Sequence, residues 1–387
     1  MNRAFRYAVE QSLVVPCGAA IALVWANWRA ESYFHVASGL AFAVNDVGMA
    51  LFFMLIAQEV LEAAMPGGAL HTWRRATLPI VAAAGGTVGA IAVYEAFVMS
   101  GDERLLVGGW PIVCGVDGAL AYVVAQWLLG NKSAARPFVL LTVIVSNAIG
   151  LIAIGFRQQS LSLHPAGPLL IALGLIVSAA RPRAGTGTMW LRIAAAGTML
   201  WWGFWWSGLH PALSLVPIVP FLPRSPRATN LFSNGRHAPH DSPQHVEHVL
   251  RIPVQIILLL FALVNAGTAV HGLERGTWAV PVGALVGRPV ATLIAVITSV
   301  GFGLRPPSGL GWRELIVVAV AVSCSFTSGL FFATAVFPMG PVLVEAKVGA
   351  LSTIAGALVA TSAAWLLGVG RFEHRGRVGA RVRFHEG

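Results

Sequence analysis

Apolar residues run through this chain in long unbroken stretches, and the polar and charged positions are confined to the gaps between them. The runs lie near 8–27, 45–64, 77–99, 106–129, 137–156, 166–180, 187–206, 209–222, 248–270, 278–302, 314–337 and 348–369. Most approach the roughly 20 residues that a helix needs to cross the hydrocarbon of a bilayer. Barrel strands would alternate apolar with polar at every second position, and these runs do not. A helix satisfies its own backbone hydrogen bonds in lipid. The pattern therefore predicts an all-α membrane protein of about twelve transmembrane helices. The seventh and eighth are separated only by Ser207-Gly208, which makes theirs the weakest boundary. No small-residue cleavage pattern follows the first run, so we read it as a span and residues 1–387 as a single polytopic transmembrane domain.

Composition agrees with the pattern. The chain is 56% apolar and only 11% charged, with a mean hydropathy of +0.73. Soluble domains of ordinary composition carry about 25% charged residues. A net charge of +10 would suit a nucleic-acid binder, but the basic residues sit in short gaps between apolar runs. Membrane orientation explains them, and we expect no nucleic-acid partner. With an even number of spans and both termini in the cytoplasm, 20 Lys and Arg fall on the cytoplasmic side. The opposite side receives five: Arg29, Arg104, Arg157, Arg275 and Lys347. That asymmetry predicts a multi-pass protein of the bacterial cytoplasmic (inner) membrane with both ends inside. Cys17, Cys114 and Cys324 all lie in apolar runs and show no disulfide or metal spacing. His237, His240, His245 and His248 stand in or beside the longest polar loop at H-x-x-H spacing, which we read as solvated loop rather than a metal site. No cofactor is expected.

Ionisable groups inside spans are costly and mark function by default. Glu59, Glu95, Asp117 and Arg288 stand out. Glu59 and Glu95 lie toward the ends of their runs, where a side chain reaches polar surroundings. Asp117 sits mid-run in Trp110-Pro111-Ile112-Val113-Cys114-Gly115-Val116-Asp117-Gly118. Pro111 lacks a backbone donor, and Gly115 and Gly118 weaken the helix around the acid. A helix broken there frees carbonyls that can coordinate a cation. A carboxyl group at such a point can also carry a proton. The competing reading of Asp117 is a structural acid that only accepts hydrogen bonds. Arg288, in Gly287-Arg288-Pro289, stays charged under physiological conditions. It needs a counter-charge, with Asp117 the obvious candidate, or an anionic substrate.

Several segments, in order, resemble the NhaA sodium/proton antiporter family over nearly the whole chain. They include Asn45-Asp46-Val47-Gly48-Met49-Ala50-Leu51-Phe52-Phe53 with Glu59, and Trp73-Arg74-Arg75 through Pro79 with Gly85-Gly86. Trp110 with Asp117, Ser207-Gly208-Leu209-His210, and Ser242-Pro243 with Glu247-His248 continue the match. So do Phe261 through Gly267, Gly287-Arg288-Pro289, Phe326-Thr327 and Ala346-Lys347-Val348-Gly349. The resemblance implies twelve helices with inverted repeats, whose broken fourth and eleventh helices cross at midplane, an architecture for which this family is a known example. The crossing would bring Asp117 to the stretch Ser323–Ser328. The resemblance also implies pH-responsive or gating roles for Glu59, Glu247 and His248, and leaves room for a homodimer.

Three departures bear on chemistry. The family carries two adjacent aspartates in its fifth span, where this chain has Val145-Ser146-Asn147-Ala148. The threonine before the fourth-span aspartate is Val116, and the tenth-span lysine is Arg288. Ser146 and Asn147 can still offer neutral oxygens to a cation. The expected function is a secondary transporter that exchanges Na+ or another small ion for protons by alternating access, with atypical coupling. Asp117 is its carrier, Ser146 and Asn147 its neutral ligands. The alternatives are an anion or organic-acid transporter built on Arg288 and a non-transporting, sensor-like relative. No motif of a soluble enzyme appears in a sensible context.

Overall fold

The structure is a computed structural model describing residues 14–65, 73–101, 104–130, 135–157, 164–180, 186–222, 245–268, 274–305 and 310–375. Its helices are α1 (Val14–Trp28), α2 (Ala30–Phe42), α3 (Met49–Ala64), α4 (Trp73–Ser100), α5 (Gly118–Leu129), α6 (Ala135–Arg157) and α7 (Ala166–Ala179). They continue with α8 (Thr186–Trp206), α9 (His245–Asn265), α10 (Arg288–Gly301), α11 (Trp312–Ala321), α12 (Phe326–Val336), α13 (Pro341–Ser352) and α14 (Ala355–Leu367). The described residues form no strand. Six helical stretches among them are long and apolar enough to cross a bilayer: Ala30–Glu62, Ala76–Ser100, Trp110–Leu129, Pro137–Gly155, Arg275–Gly301 and Pro341–Glu373. The pair α11 and α12, bent by 42°, makes a seventh.

Helix boundaries differ from the hydropathy runs in three places. The second run starts near residue 45, yet the helical stretch starts at Ala30. A wide π turn, Ala43–Gly48, joins α2 to α3 without interrupting them. In the polar start of α2, Glu31, Ser32 and His35 are exposed and Tyr33 is buried. Its hydroxyl lies 2.9 Å and 2.8 Å from the carbonyls of Leu263 and Val264 and accepts from the Gly267 N–H at 3.0 Å. The eighth run forms 3₁₀ turns, Pro211–Leu213 and Val216–Phe221, instead of an α-helix. Pro211, Pro217 and Pro220 each withdraw a backbone donor there. Lys347, assigned by charge counting to a loop, lies within α13.

Chain contacts divide the protein into two units. One comprises 1–65, 150–271 and 334–338; the other comprises 66–149, 272–333 and 339–387. In the first, α1 packs on α9, α7 pairs with α8, and Trp201 stacks on Trp205 with ring centres 5.6 Å apart. In the second, α4 lies against α10 along small residues. A Cβ at Gly89 would come within 2.0 Å of the Ala291 Cβ, so these backbones approach only because Gly89 has no side chain. A core of Leu78, Ala82, Phe138, Val139, Val296 and Val318 fills the same unit. Every residue of the polar centre described next belongs to this second unit.

Candidate functional site

Two helices of the second unit are interrupted at the points that meet. Along the first, a 3₁₀ turn over Trp110–Val113 gives way to non-helical backbone before α5 begins at Gly118. Asp117 caps α5: its backbone is extended, and its Oδ1 accepts from the Leu120 N–H at 3.3 Å. A carboxylate at a helix N-terminus is favoured by the unpaired N–H groups and the positive end of the dipole. Along the second, α11 ends at Ala321 and α12 starts at Phe326.

The breaks hold each other. The Asp117 N–H donates to the Cys324 carbonyl at 2.8 Å, and the Ser325 hydroxyl donates to the Ile112 carbonyl at 3.1 Å. Thr327 donates to Asp117 Oδ2 twice, from its hydroxyl at 2.6 Å and from its N–H at 3.3 Å. The Ser325 N–H donates to Thr353 Oγ1 at 3.2 Å. Backbone groups freed by one interruption are thus met by groups of the other, as lipid surroundings require. The approach is close: a Cβ at Gly115 would lie 2.6 Å from the Ser328 hydroxyl.

Arg288 is 1% exposed. It opens α10, directly after a π turn over Val282–Gly287. Its Nη2 donates to the carbonyls of Val113, Cys114 (2.8 Å) and Gly115 (3.5 Å). Its Nη1 donates to Ser146 Oγ at 3.3 Å and Thr87 Oγ1 at 3.4 Å. The guanidinium therefore sits on the carbonyl end of the Trp110–Val113 turn, the negative end of that dipole. Asp117, the expected counter-charge, spends its oxygens on Thr327 and Leu120 instead. Arg288 Nε has no partner among the described residues.

Ser146 is fully buried, and Asn147 is half-buried with its Oδ1 accepting from the Val116 N–H at 3.0 Å. Asp117, Ser146, Asn147 and Arg288 are thus brought together in one centre. Glu59 is half-buried in α3, in the other unit. Glu95 anchors its span end, accepting from the Gly108 N–H at 3.3 Å. Glu247 and His248 lie in the first turn of α9, but their side chains, like His237 and His240, lie outside the described residues. The sequence places Ser325 and Thr327 in the stretch expected near Asp117 without singling either out, and gives no sign of Thr87, because hydroxyls in apolar runs look alike until the fold says what they face. Asp46, at the start of the second apolar run, lies in the π turn within Ala30–Glu62, with Trp201 Nε1 donating to its carbonyl at 3.3 Å.

A helical membrane protein whose polar centre forms where two interrupted helices meet over one carboxylate has the build of a membrane transporter. Residues 2–367 match the family described as Na+/H+ antiporter 1. The chain is 35% identical to Na(+)/H(+) antiporter NhaA of Jannaschia sp. (strain CCS1), covering 93% of this chain and 96% of that protein. It is 32% identical to Na(+)/H(+) antiporter NhaA of Desulfitobacterium hafniense (strain DSM 10664 / DCB-2), over 95% and 97% of the two chains. It is 33% identical to Na(+)/H(+) antiporter NhaA 1 of Pelobacter propionicus, over 96% and 100%. This chain belongs to the NhaA Na+/H+ antiporter family.

Proposed function

We propose that the protein exchanges Na+, or a similar monovalent cation, for protons across the bacterial inner membrane, with Asp117 as the shared carrier. Family membership supports the activity. The single observation that carries Asp117 is its position: a half-buried carboxylate at the meeting point of two interrupted helices, held by neutral donors from Thr327 and Leu120. A carboxylate there can bind a proton or a cation, but not both at full strength, and that competition is the core of antiport. Ser146 and the free lone pair of the Asn147 amide oxygen add neutral ligation. Alternating access on a twelve-span scaffold with inverted repeats, working as one transport domain, would expose this centre to each side in turn. We place both termini in the cytoplasm on the 20:5 distribution of Lys and Arg. A homodimer is compatible with this reading and not required by it. Glu59, Glu247 and His248 are our candidates for pH response or gating. An anion carrier built on Arg288 fits less well, because its Nη2 already faces three backbone carbonyls, which repel an anion, and its Nη1 serves the hydroxyls of Thr87 and Ser146.

The test is cation-dependent proton flux in proteoliposomes made with the purified chain. Wild-type protein should collapse an imposed pH gradient on addition of Na+ or Li+, and Asp117→Asn should not. The asparagine keeps the size and the acceptor for Leu120, so folding is expected to survive, which a thermal melt checks. A wild-type protein without flux for any alkali cation from neutral to alkaline pH sinks the proposal.

A further inference from the structure

We infer that exchange through this centre is one-for-one and electroneutral, because Arg288 is a built-in cation that stays in place and Asp117 is, among the described residues of the centre, the one charge that can be swapped. The inference rests on the exchange proposed above and adds its coupling ratio.

A guanidinium keeps its proton throughout the physiological range. A buried one must nevertheless be compensated. Here the compensation comes from the carbonyls of Val113, Cys114 and Gly115 and the hydroxyls of Thr87 and Ser146. These are fixed dipoles. They neither bind a transported ion in place of Arg288 nor give up a charge when the cycle turns. Arg288 therefore contributes the same +1 in every state.

The groups around Asp117 are neutral as well. Its carboxylate meets a hydroxyl and two backbone N–H groups, and the neighbouring α6 presents Ser146 and Asn147. The thiol of Cys114 donates to the Trp110 carbonyl at 3.5 Å, and Cys324 is fully buried. Three other described acids of this unit lie at its helix ends and loops, away from Asp117. Glu95 accepts from Gly108, Glu345 packs over Gly276, and Glu314 lies by Gly311 at the start of α11. Lys347 stands on α13, which packs against the segment 275–281. Among the described residues of the centre, one exchangeable charge remains.

A bare carboxylate is expensive in a low-dielectric centre. One proton or one monovalent cation cancels it equally well. The loaded centre then carries the same charge whichever of the two it holds, so one positive charge travels each way per cycle and no net charge crosses. A divalent cation would leave an uncancelled positive charge beside Arg288, so the same count selects monovalent ions.

The experiment finds the balance point. Proteoliposomes holding the full chain are given a fixed pH gradient, and the Na+ gradient at which an internal pH dye stays steady is determined, with the membrane potential set by K+ and valinomycin. A tenfold Na+ gradient should balance one pH unit, and the same balance should hold with the potential clamped at zero or at about 100 mV of either sign. Moving one net charge per cycle through about 100 mV is worth about 2.3 kcal/mol, which would displace the balance roughly 50-fold. A displacement of that kind reveals a second exchanging group and overturns the coupling ratio while leaving antiport intact. Absence of any Na+-dependent proton flux overturns antiport itself, and the ratio with it. Equal balance points at all potentials establish the inference.

Discussion

Each unit contains a helix that departs from regular geometry, and the two departures are resolved in opposite ways. In the first unit the π turn Ala43–Gly48 is closed by neutral groups. Asn265 Nδ2 donates to Asn45 Oδ1 at 2.7 Å, and Asn45 Nδ2 returns a bond to Asn265 Oδ1 at 3.2 Å. Asn265 Nδ2 also reaches the Phe261 carbonyl at 3.0 Å. In the second unit the interruptions at 114–117 and 322–325 are served by ionisable groups: Asp117 accepts from Thr327 just past the second break, and Arg288 donates to the Cys114 carbonyl in the first. They are not fully closed: Arg288 Nε and the Ser328 hydroxyl lack partners among the described residues, and Asp117 is only half-buried. A reciprocal amide pair satisfies itself and so is suited to holding helices together. A charged centre with unused valences is poised to take up and release an ion.

The sharpest way to break this comparison is to remove the fixed cation. Arg288→Gln can donate to at most one or two of the groups that Arg288 now serves. Each carbonyl left bare in the interior costs about 1–3 kcal/mol, so with one or two of the three left bare a total of about 1–6 kcal/mol is expected. The melting temperature of the detergent-solubilised protein should fall accordingly. Arg288→Lys keeps the charge on a single amine and should recover part of that loss. A glutamine variant as stable as wild type would show that the guanidinium does not organise the broken segment.

A substitution of smaller consequence sharpens the contrast by adding charge instead of removing it. Asn147→Asp is nearly isosteric, and its carboxylate can keep accepting from the Val116 N–H. It supplies a second exchangeable charge to a centre that we argue has one. Its Na+ balance point should become voltage-dependent, moving toward the roughly 50-fold displacement per 100 mV of one net charge. A variant that still exchanges with a voltage-independent balance would remove Asn147 from the ion path.

Parts of this arrangement are plain in the amino-acid order, and the reasons are physical. Asp117 stands out because a carboxylate between Pro111 and Gly118 has no cheap explanation in lipid. Arg288 stands out for the same reason, yet its partners do not. Backbone carbonyls carry no residue identity, so nothing in the string Val113-Cys114-Gly115 announces that it will cradle a guanidinium, and a charge-pairing argument points to Asp117 instead. Thr327 falls in the stretch expected at the crossing, but its bond to Asp117 does not show in the amino-acid order, because one threonine in an apolar run resembles another until a second chain segment meets it. The helix that begins at Ala30 is hidden by its polar residues, which hydropathy treats as the end of a run; Tyr33 among them is buried against Gly267, while Glu31, Ser32 and His35 stay exposed. Hydropathy thus recovers the long apolar stretches and fails where a helix carries polar residues at its start or where prolines break one.

The smallest expected effect tests the neutral half of the comparison. Asn265→Ala removes one member of the amide pair and leaves the Asn45 side chain facing an apolar neighbour. The cost is that of unsatisfied polar groups, about 1–3 kcal/mol, and it should appear as a lowered melting temperature. Replacing both residues with leucine removes the unsatisfied groups altogether, and such double replacements come close to neutral when the shapes fit. The double variant should therefore melt nearer to wild type than the single one does. In both, the Na+ balance point should not move, because no charge in the exchanging centre has been altered. If the single variant instead shifts the balance point while stability is unchanged, the amide pair participates in exchange, and the division between a self-satisfied joint and a reactive centre does not hold.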